Sequence, residues 1–243
     1  MFSQMMYLMR LDLIRTFRNY KFVIIILALP VFFYWLYSDM FPANAAVNGV
    51  SWNEYSLISL TGFGIMGNTV NLLGTRIADE RKDNWFEYIK VSPVPEKLYT
   101  LSHLSTFFII SILLSIVMFI EAYILHGIFF GIEKTILLIL ALNISNIIFL
   151  CWSLIIGLTG SLAQPIGTIS YIAFSFAGGL WFPVAAMPKA IQGIAKITPG
   201  YVYASPAWQI LENKPIKVST ILLTVIYCII FLLIYGYLRK QKK

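Results

Sequence analysis

The stretch GGLWFPVAAMPKAIQGIAKITPGYVYASPAW, residues 178–208, decides how the chain is read. It follows an apolar run of membrane character, yet it holds Pro183, Pro188, Pro199 and Pro206, two lysines and scattered glycines. One plain helix cannot carry four prolines, because each removes a backbone donor and its ring clashes with the preceding turn. A plain loop has no use for so many Ile, Ala, Trp and Tyr. A broken segment that dips into a membrane fits both facts, since irregular backbone is tolerated there where protein or a water-filled cavity satisfies it.

Composition supports that setting. The 243 residues are 59% hydrophobic and 12% charged, with a mean hydropathy of +0.79. A soluble domain is about half apolar and about a quarter charged. The excess places residues 1–243 in a membrane as one all-α domain. A spanning helix needs about 20 mostly apolar residues. Six runs qualify, at 22–39, 55–76, 103–126, 134–158, 165–182 and 218–238. The first contains Pro30, which membrane helices accept as a kink. Ala43-Asn44-Ala45 has the small-residue pattern of a signal-peptide cleavage site. The run before it, however, is longer than the roughly 7–15 residues of an ordinary signal peptide, so it is read as a retained span. Cys151 and Cys228 lie inside apolar runs and suggest neither a disulfide nor a metal framework.

Charge placement sets orientation. Five of the 18 Lys and Arg, namely Lys134, Lys189, Lys196, Lys214 and Lys217, fall on one side of the predicted bundle, and the rest fall on the side of both termini. The positive-inside rule puts that second side in the cytoplasm. The basic residues hug helix ends, where they meet anionic lipid headgroups, and this excludes nucleic acid as the target of the +7 net charge. In residues 1–20, Met5, Met6, Leu8, Met9, Leu11, Leu13, Ile14 and Phe17 alternate with Arg10, Asp12, Arg15 and Arg18 at helical spacing. The pattern predicts an amphipathic helix lying in the inner interface.

Between spans two and three, residues 76–104 carry dense charge of both signs. Spacings of three and four place Glu80, Asp83, Glu87 and Lys90 on one helix face, with Ile77, Trp85, Tyr88 and Ile89 as apolar contacts. Ser92-Pro93-Val94-Pro95 ends the helix, since a residue before Pro is pushed out of the α region. A charged helix held at the membrane surface suits docking of a cytoplasmic protein, and a solvated loop fits the charges equally.

The order of these parts resembles the permease subunits of type-2 ABC exporters over essentially the whole chain. Two motifs carry the likeness. Glu80-Arg81 through Trp85 and Glu87 to Ser92-Pro93-Val94 is similar to the family's coupling helix and its following turn. Gly178-Gly179-Leu180-Trp181-Phe182-Pro183, then Met187-Pro188 and Pro199, is similar to its re-entrant segment between spans five and six. Where members commonly carry Gly, this chain reads Asp83-Asn84, and Asn accepts left-handed backbone better than most residues. The resemblance implies a coupling loop at 77–97 with Glu80, Asp83, Trp85, Glu87 and Tyr88 facing a cytoplasmic ATP-binding subunit. It also implies two copies of that subunit holding ATP and Mg, and a second permease chain, identical or related. An outer re-entrant segment at 183–200 would form an exit gate with Gly178, Gly179, Phe182, Pro183 and Pro188.

The residues themselves add to this. Gly178-Gly179 lets the fifth helix break, Pro183 stops it, and Pro188 opens a short helix in which Lys189, Gln192 and Lys196 form a polar side. Polar residues inside a membrane are costly and therefore informative. Asn68, Asn71 and Thr75 share a face of span two, and Asn143 and Asn146 lie on span four. They either line a substrate path or tie helices together. Near the outer end of span three, Glu121 and His126 are the one acid/base pair that invites a catalytic reading, and five residues apart they do not stack. No phosphate-binding loop of the GxxxxGK[ST] type, no HExxH and no CxxC is present, so the chain has no motif for hydrolysing ATP or holding a metal. The expected function is the membrane half of an exporter for a lipid, drug or amphipathic peptide in a bacterial plasma membrane. Two rivals are a non-transporting assembly or sensing protein and a membrane enzyme using Glu121 and His126.

Overall fold

A computed structural model describes residues 2–18, 20–40, 46–92 and 95–241. The Ala43-Asn44-Ala45 pattern, the Pro93-Val94 turn and the basic pair Lys242-Lys243 lie outside the described residues. The described residues are helical apart from connecting turns and one hairpin. Strands β1 (Ala46–Val47) and β2 (Val50–Ser51) pair antiparallel, with Ala46 opposite Ser51. The turn between them is Asn48-Gly49, both at positive φ, as a tight hairpin turn requires.

Ser51 then starts the first of the long helices. Its hydroxyl accepts from the Glu54 N–H, and the Glu54 carboxylate accepts from the Ser51 N–H, a reciprocal cap that fixes where the helix begins. From there one rod runs through α3 (Trp52–Gly67), a π-helical stretch at Asn68–Leu73 and α4 (Gly74–Lys82). It is the most deeply buried of the long helices, and the others pack around it.

Among the described residues, four helices are long and apolar enough to cross a membrane: Trp52–Lys82, Lys97–His126, Ile132–Ile156 and Val218–Gln241. They correspond to the predicted spans two, three, four and six. The second is the core of α6 (Glu96–His126), the third joins α7 (Ile132–Ser145) to α8 (Ile147–Ile156), and the fourth is α12 (Val218–Gln241). The first and fifth runs form shorter helices. In α2 (Tyr20–Ser38) the described apolar part is Ile26–Ser38, and α9 (Ala163–Ala177) has 15 residues. The expected fifth span, 165–182, therefore stops five residues early. Gly178 and Gly179 end it, Gly179 at φ +83°, and Pro183 comes only after the chain has turned.

Helix α1 (Phe2–Arg18) packs against α6, and α2 packs against α3. The proline-rich stretch resolves into a turn at Val184–Ala186, a short helix α10 (Lys189–Ala195) and a buried helix α11 (Pro199–Leu211). Each proline has its own place. Pro183 precedes the turn, Pro188 caps α10, Pro199 is the first residue of α11, and Pro206 sits inside it. The leg that enters the bundle is thus α11, beyond the expected limit of residue 200, where it packs against α3, α7, α9 and α12.

Candidate functional site

The two ends of the α3–α4 rod carry different chemistry. At the α1 end, α4 stops at Lys82 and Asn84 takes left-handed backbone, with φ 56° and ψ 22°, before α5 (Trp85–Val91) begins. The break means that Glu80, Asp83 and Glu87 do not share one continuous helix face, as their spacing alone predicts. Asp83, Trp85, Glu87 and Tyr88 are exposed, whereas Glu80 is buried. Glu80 belongs to the interior and the other four to the surface. The reason is electrostatic, because a buried carboxylate is tolerated only when it is paired.

Its partners come from three elements. Arg15 of α1 donates to Glu80 Oε1 at 3.2 Å, and Tyr99 of α6 donates to Oε2 at 3.1 Å. Arg76, one turn back on α4, stands 3.5 Å from Oε1. Arg76 also pairs with Asp12 of α1 and donates to the Thr16 hydroxyl at 3.1 Å. His103 of α6 lies between the two acids. Its Nδ1 is 3.0 Å from Asp12 Oδ2, and its Nε2 is in charge contact with Glu80 Oε2 at 3.0 Å, off the line of an aligned hydrogen bond. The side chains of His103, Asp12 and Glu80 are 3%, 7% and 8% exposed, so this is an interior network that joins α1, α4 and α6.

Burial by itself would raise the Asp12 carboxyl. The His103 hydrogen bond, the charges of His103 and Arg76 and the Thr106 hydroxyl outweigh burial and hold the carboxyl below the usual carboxylate range. Asp12, Arg76 and His103 were not among the residues singled out from sequence. The available signals were a lone acid among three arginines in residues 1–20 and an Arg–Glu pair four apart in 76–80. Beside this network a pocket of about 420 Å³ opens to the surface, lined by Leu11, Asp83, Trp85 and Ser102 among others.

At the opposite end, Gly178 and Gly200 meet backbone to backbone. A Cβ on Gly200 would fall 2.0 Å from the Phe174 carbonyl oxygen, and one on Gly178 would fall 2.5 Å from the Gly200 carbonyl carbon. Only glycine lets the end of α9 cross the start of α11 this closely. The Tyr55 hydroxyl donates to the Gly179 carbonyl at 3.0 Å, and the Tyr37 hydroxyl donates to that of Trp181. Trp181, rather than Phe182, is the hub: its ring meets Phe33, Tyr37, Phe63 and Phe176 at centroid distances of 4.8–6.0 Å. Phe182 and Pro188 are exposed, and Pro183 is buried.

Within the bundle, Asn143 donates to Ser115 at 3.0 Å and Asn146 to Thr69 at 2.8 Å, and both asparagines are fully buried. Asn68 is buried too, while Asn71 and Thr75 are half-buried. Asn71 Oδ1 accepts from Thr168 of α9 at 3.2 Å at the π-helical stretch. His126 bonds Ser38 at 2.9 Å and stands edge-on to Tyr34, while one oxygen of Glu121 is buried without a described hydrogen-bond partner. Among the described contacts nothing joins Glu121 to His126.

Membrane-length helices around a buried rod, an exposed short helix at one end and a broken, aromatic-sealed segment at the other are the architecture of a multi-pass membrane protein. The chain matches the family described as ABC-2 family transporter protein over residues 43–238, and it belongs to that family. It is also 27% identical over 231 residues to "Putative transport permease YvfS" of Bacillus subtilis (strain 168), covering 94% of each chain. As an ABC-2 permease it is a transmembrane transporter subunit, and the family implies an ATP-binding partner subunit.

Proposed function

We propose that this chain is the permease of an ATP-driven exporter that moves a lipid, drug or amphipathic peptide out of the cell. The observation that carries the proposal is the surface around α5, with Trp85, Glu87 and Tyr88 exposed on that helix and Asp83 exposed at the break before it, next to the buried Asp12–Arg76–Glu80–His103 network. A cytoplasmic ATP-binding subunit docks there, two copies per complex, and holds the ATP and Mg that this chain does not. Force applied to α5 reaches α4 within a few residues, and the network passes it to α1 and α6. The six-span topology counts α2 and α9 with the four long helices, and both termini are cytoplasmic on the lysine and arginine distribution.

Two permease chains, identical or related, enclose the path. The half-buried Asn71 and Thr75 face it, with Asn68 behind them, and Asn143 and Asn146 hold the helices beside it. The outer gate is the Gly178–Gly179 break with Trp181, Phe182, Pro183 and the segment from Pro188. The test is co-purification from the native host in mild detergent. Wild type brings down an ATPase with a phosphate-binding loop, and Asp83→Lys/Glu87→Lys loses it while keeping its melting temperature. A clean wild-type chain with no ATPase overturns the reading.

A further inference from the structure

At the end of the rod opposite α1, a cavity of about 420 Å³ opens between the hairpin, the turn after Pro183, α11 and the start of α12. Its floor is aromatic and buried, with Tyr55 stacked on Trp208 at 5.5 Å and 13°. Its rim is cationic. Lys196, Lys214 and Lys217 line the mouth together with a single acid, Glu212. That acid is already satisfied, because Asn48 donates to one oxygen at 2.9 Å and Lys214 to the other at 2.6 Å. Among the described residues the side-chain ammonium groups of Lys196 and Lys217 have no hydrogen-bond or ion-pair partner, so two cations stand unmatched over the opening.

The rim is also built. Gln209, almost fully buried, accepts the Lys217 backbone N–H at 2.7 Å and donates to Ser205 at 2.6 Å, which fixes the chain where α12 starts. Ser219, in the first turn of that 24-residue helix, lines the same mouth. At the start of α12 the Thr220 and Ile221 N–H groups donate to the Lys217 carbonyl, which leaves those of Val218 and Ser219 and the positive end of the helix dipole to favour an oxyanion. From the mouth, Leu223 leads along one face of α12 to Ile226 and Ile230, three and seven residues on and both exposed.

We propose that this cavity binds the phosphate-bearing headgroup of an anionic amphiphile. The phosphate sits between Lys196, Lys217 and the start of α12, the headgroup lies over the Tyr55–Trp208 floor, and the alkyl chains run along α12. On the orientation proposed above the site faces the outer leaflet. It requires neither an ATPase nor transport, so it stands or falls apart from the proposed function.

The experiment is thermal unfolding of the purified full-length chain in a neutral detergent. The protein is titrated with dioctanoyl phosphatidylglycerol, dioctanoyl phosphatidylcholine or inorganic phosphate. The expected result is saturable stabilisation by the phosphatidylglycerol and much weaker stabilisation by the phosphatidylcholine. In K196Q/K217Q the apparent Kd rises by on the order of tenfold, from the loss of two headgroup-level cations. The ligand-free melting temperature of that variant matches wild type, since both lysines are exposed. Equal stabilisation by phosphatidylcholine, or a Kd unmoved in the double variant, overturns the proposal. Full stabilisation by inorganic phosphate alone overturns the amphiphile and leaves a small-anion site. Should the double variant fail to fold, K196Q alone, at the exposed position just after α10, decides: a raised Kd upholds the site and an unchanged one removes it.

Discussion

His103 and Asp12 are 91 residues apart in sequence and 3.0 Å apart in space, imidazole nitrogen to carboxylate oxygen. The contact ties the N-terminal helix to the third span, and Arg76 on the opposite side of Asp12 ties both to the second. A helix that only floated in the membrane interface would have no reason to bury an acid. Asp12 makes α1 part of the bundle.

The first prediction concerns what that acid is worth. Removing one partner of a buried ion pair leaves the others uncompensated and costs about 3–5 kcal/mol. Asp12→Asn is expected to fall in that range, read as a drop in the melting temperature of the detergent-purified chain. Arg15→Ala removes a partner of Glu80 whose side chain is 67% exposed, and exposed pairs contribute about 0–1 kcal/mol. Equal losses from the two variants would mean that the network is not interior.

A pH dependence follows with a definite sign. The Asp12 carboxyl is held below its usual value in the folded chain, so its contribution is fully present above the unfolded value of about 3.9 and is lost as pH falls through the folded value. The melting-temperature gap between wild type and Asp12→Asn should narrow as pH falls below about 4. A gap that widened on acidification would contradict the assignment.

These residues also mark where the sequence stops being readable. Runs of about 20 apolar residues forecast the long helices. Asn84 in left-handed backbone and the break at Gly178–Gly179 follow from local conformational preference, which a short window of sequence contains. The partners of Asp12 lie 64 and 91 residues away, and no local pattern links them. The same limit explains Glu80. On a helix wheel it belongs with Asp83 and Glu87, and only the packing of α1 and α6 around α4 turns it inward. The buried α11 was obscured because Pro206 reads as a helix breaker. Ala204, Ala207, Trp208 and Leu211 are nonetheless buried around it, and tertiary packing outweighs the lost donor.

Inside the bundle, Asn146 and Thr69 form a direct hydrogen bond between α8's leading turn and the π-helical stretch, at 2.8 Å. Interhelical hydrogen bonds in membranes average about 0.6 kcal/mol and reach about 1.7 kcal/mol. A double-mutant cycle of Asn146→Ala and Thr69→Val is expected to give coupling in that range, toward the upper end because both groups are buried. Additive effects would show that the bond does not hold span four to span two.

The closest test of the proline-rich segment is steric. Gly200 and Gly193 sit seven residues apart in the same proline-rich stretch, and both are glycines in or beside a short helix. A methyl group on Gly200 would lie 2.0 Å from the Phe174 carbonyl oxygen, a backbone atom that cannot swing aside, whereas one on Gly193 would meet nothing within 4 Å. Gly200→Ala must therefore push α11 away from α9 and carry Tyr201 and Trp208 with it. Overpacking of this kind typically costs about 1–3 kcal/mol, and contact with backbone favours the upper end. Gly193→Ala is expected to be neutral or to stabilise by up to about 1 kcal/mol, since Ala is the better helix former. The two melting temperatures, measured in the same detergent, should move apart in opposite directions. If Gly200→Ala melts with wild type, the backbone crossing of α9 and α11 does not exist, and the gate built on it goes too.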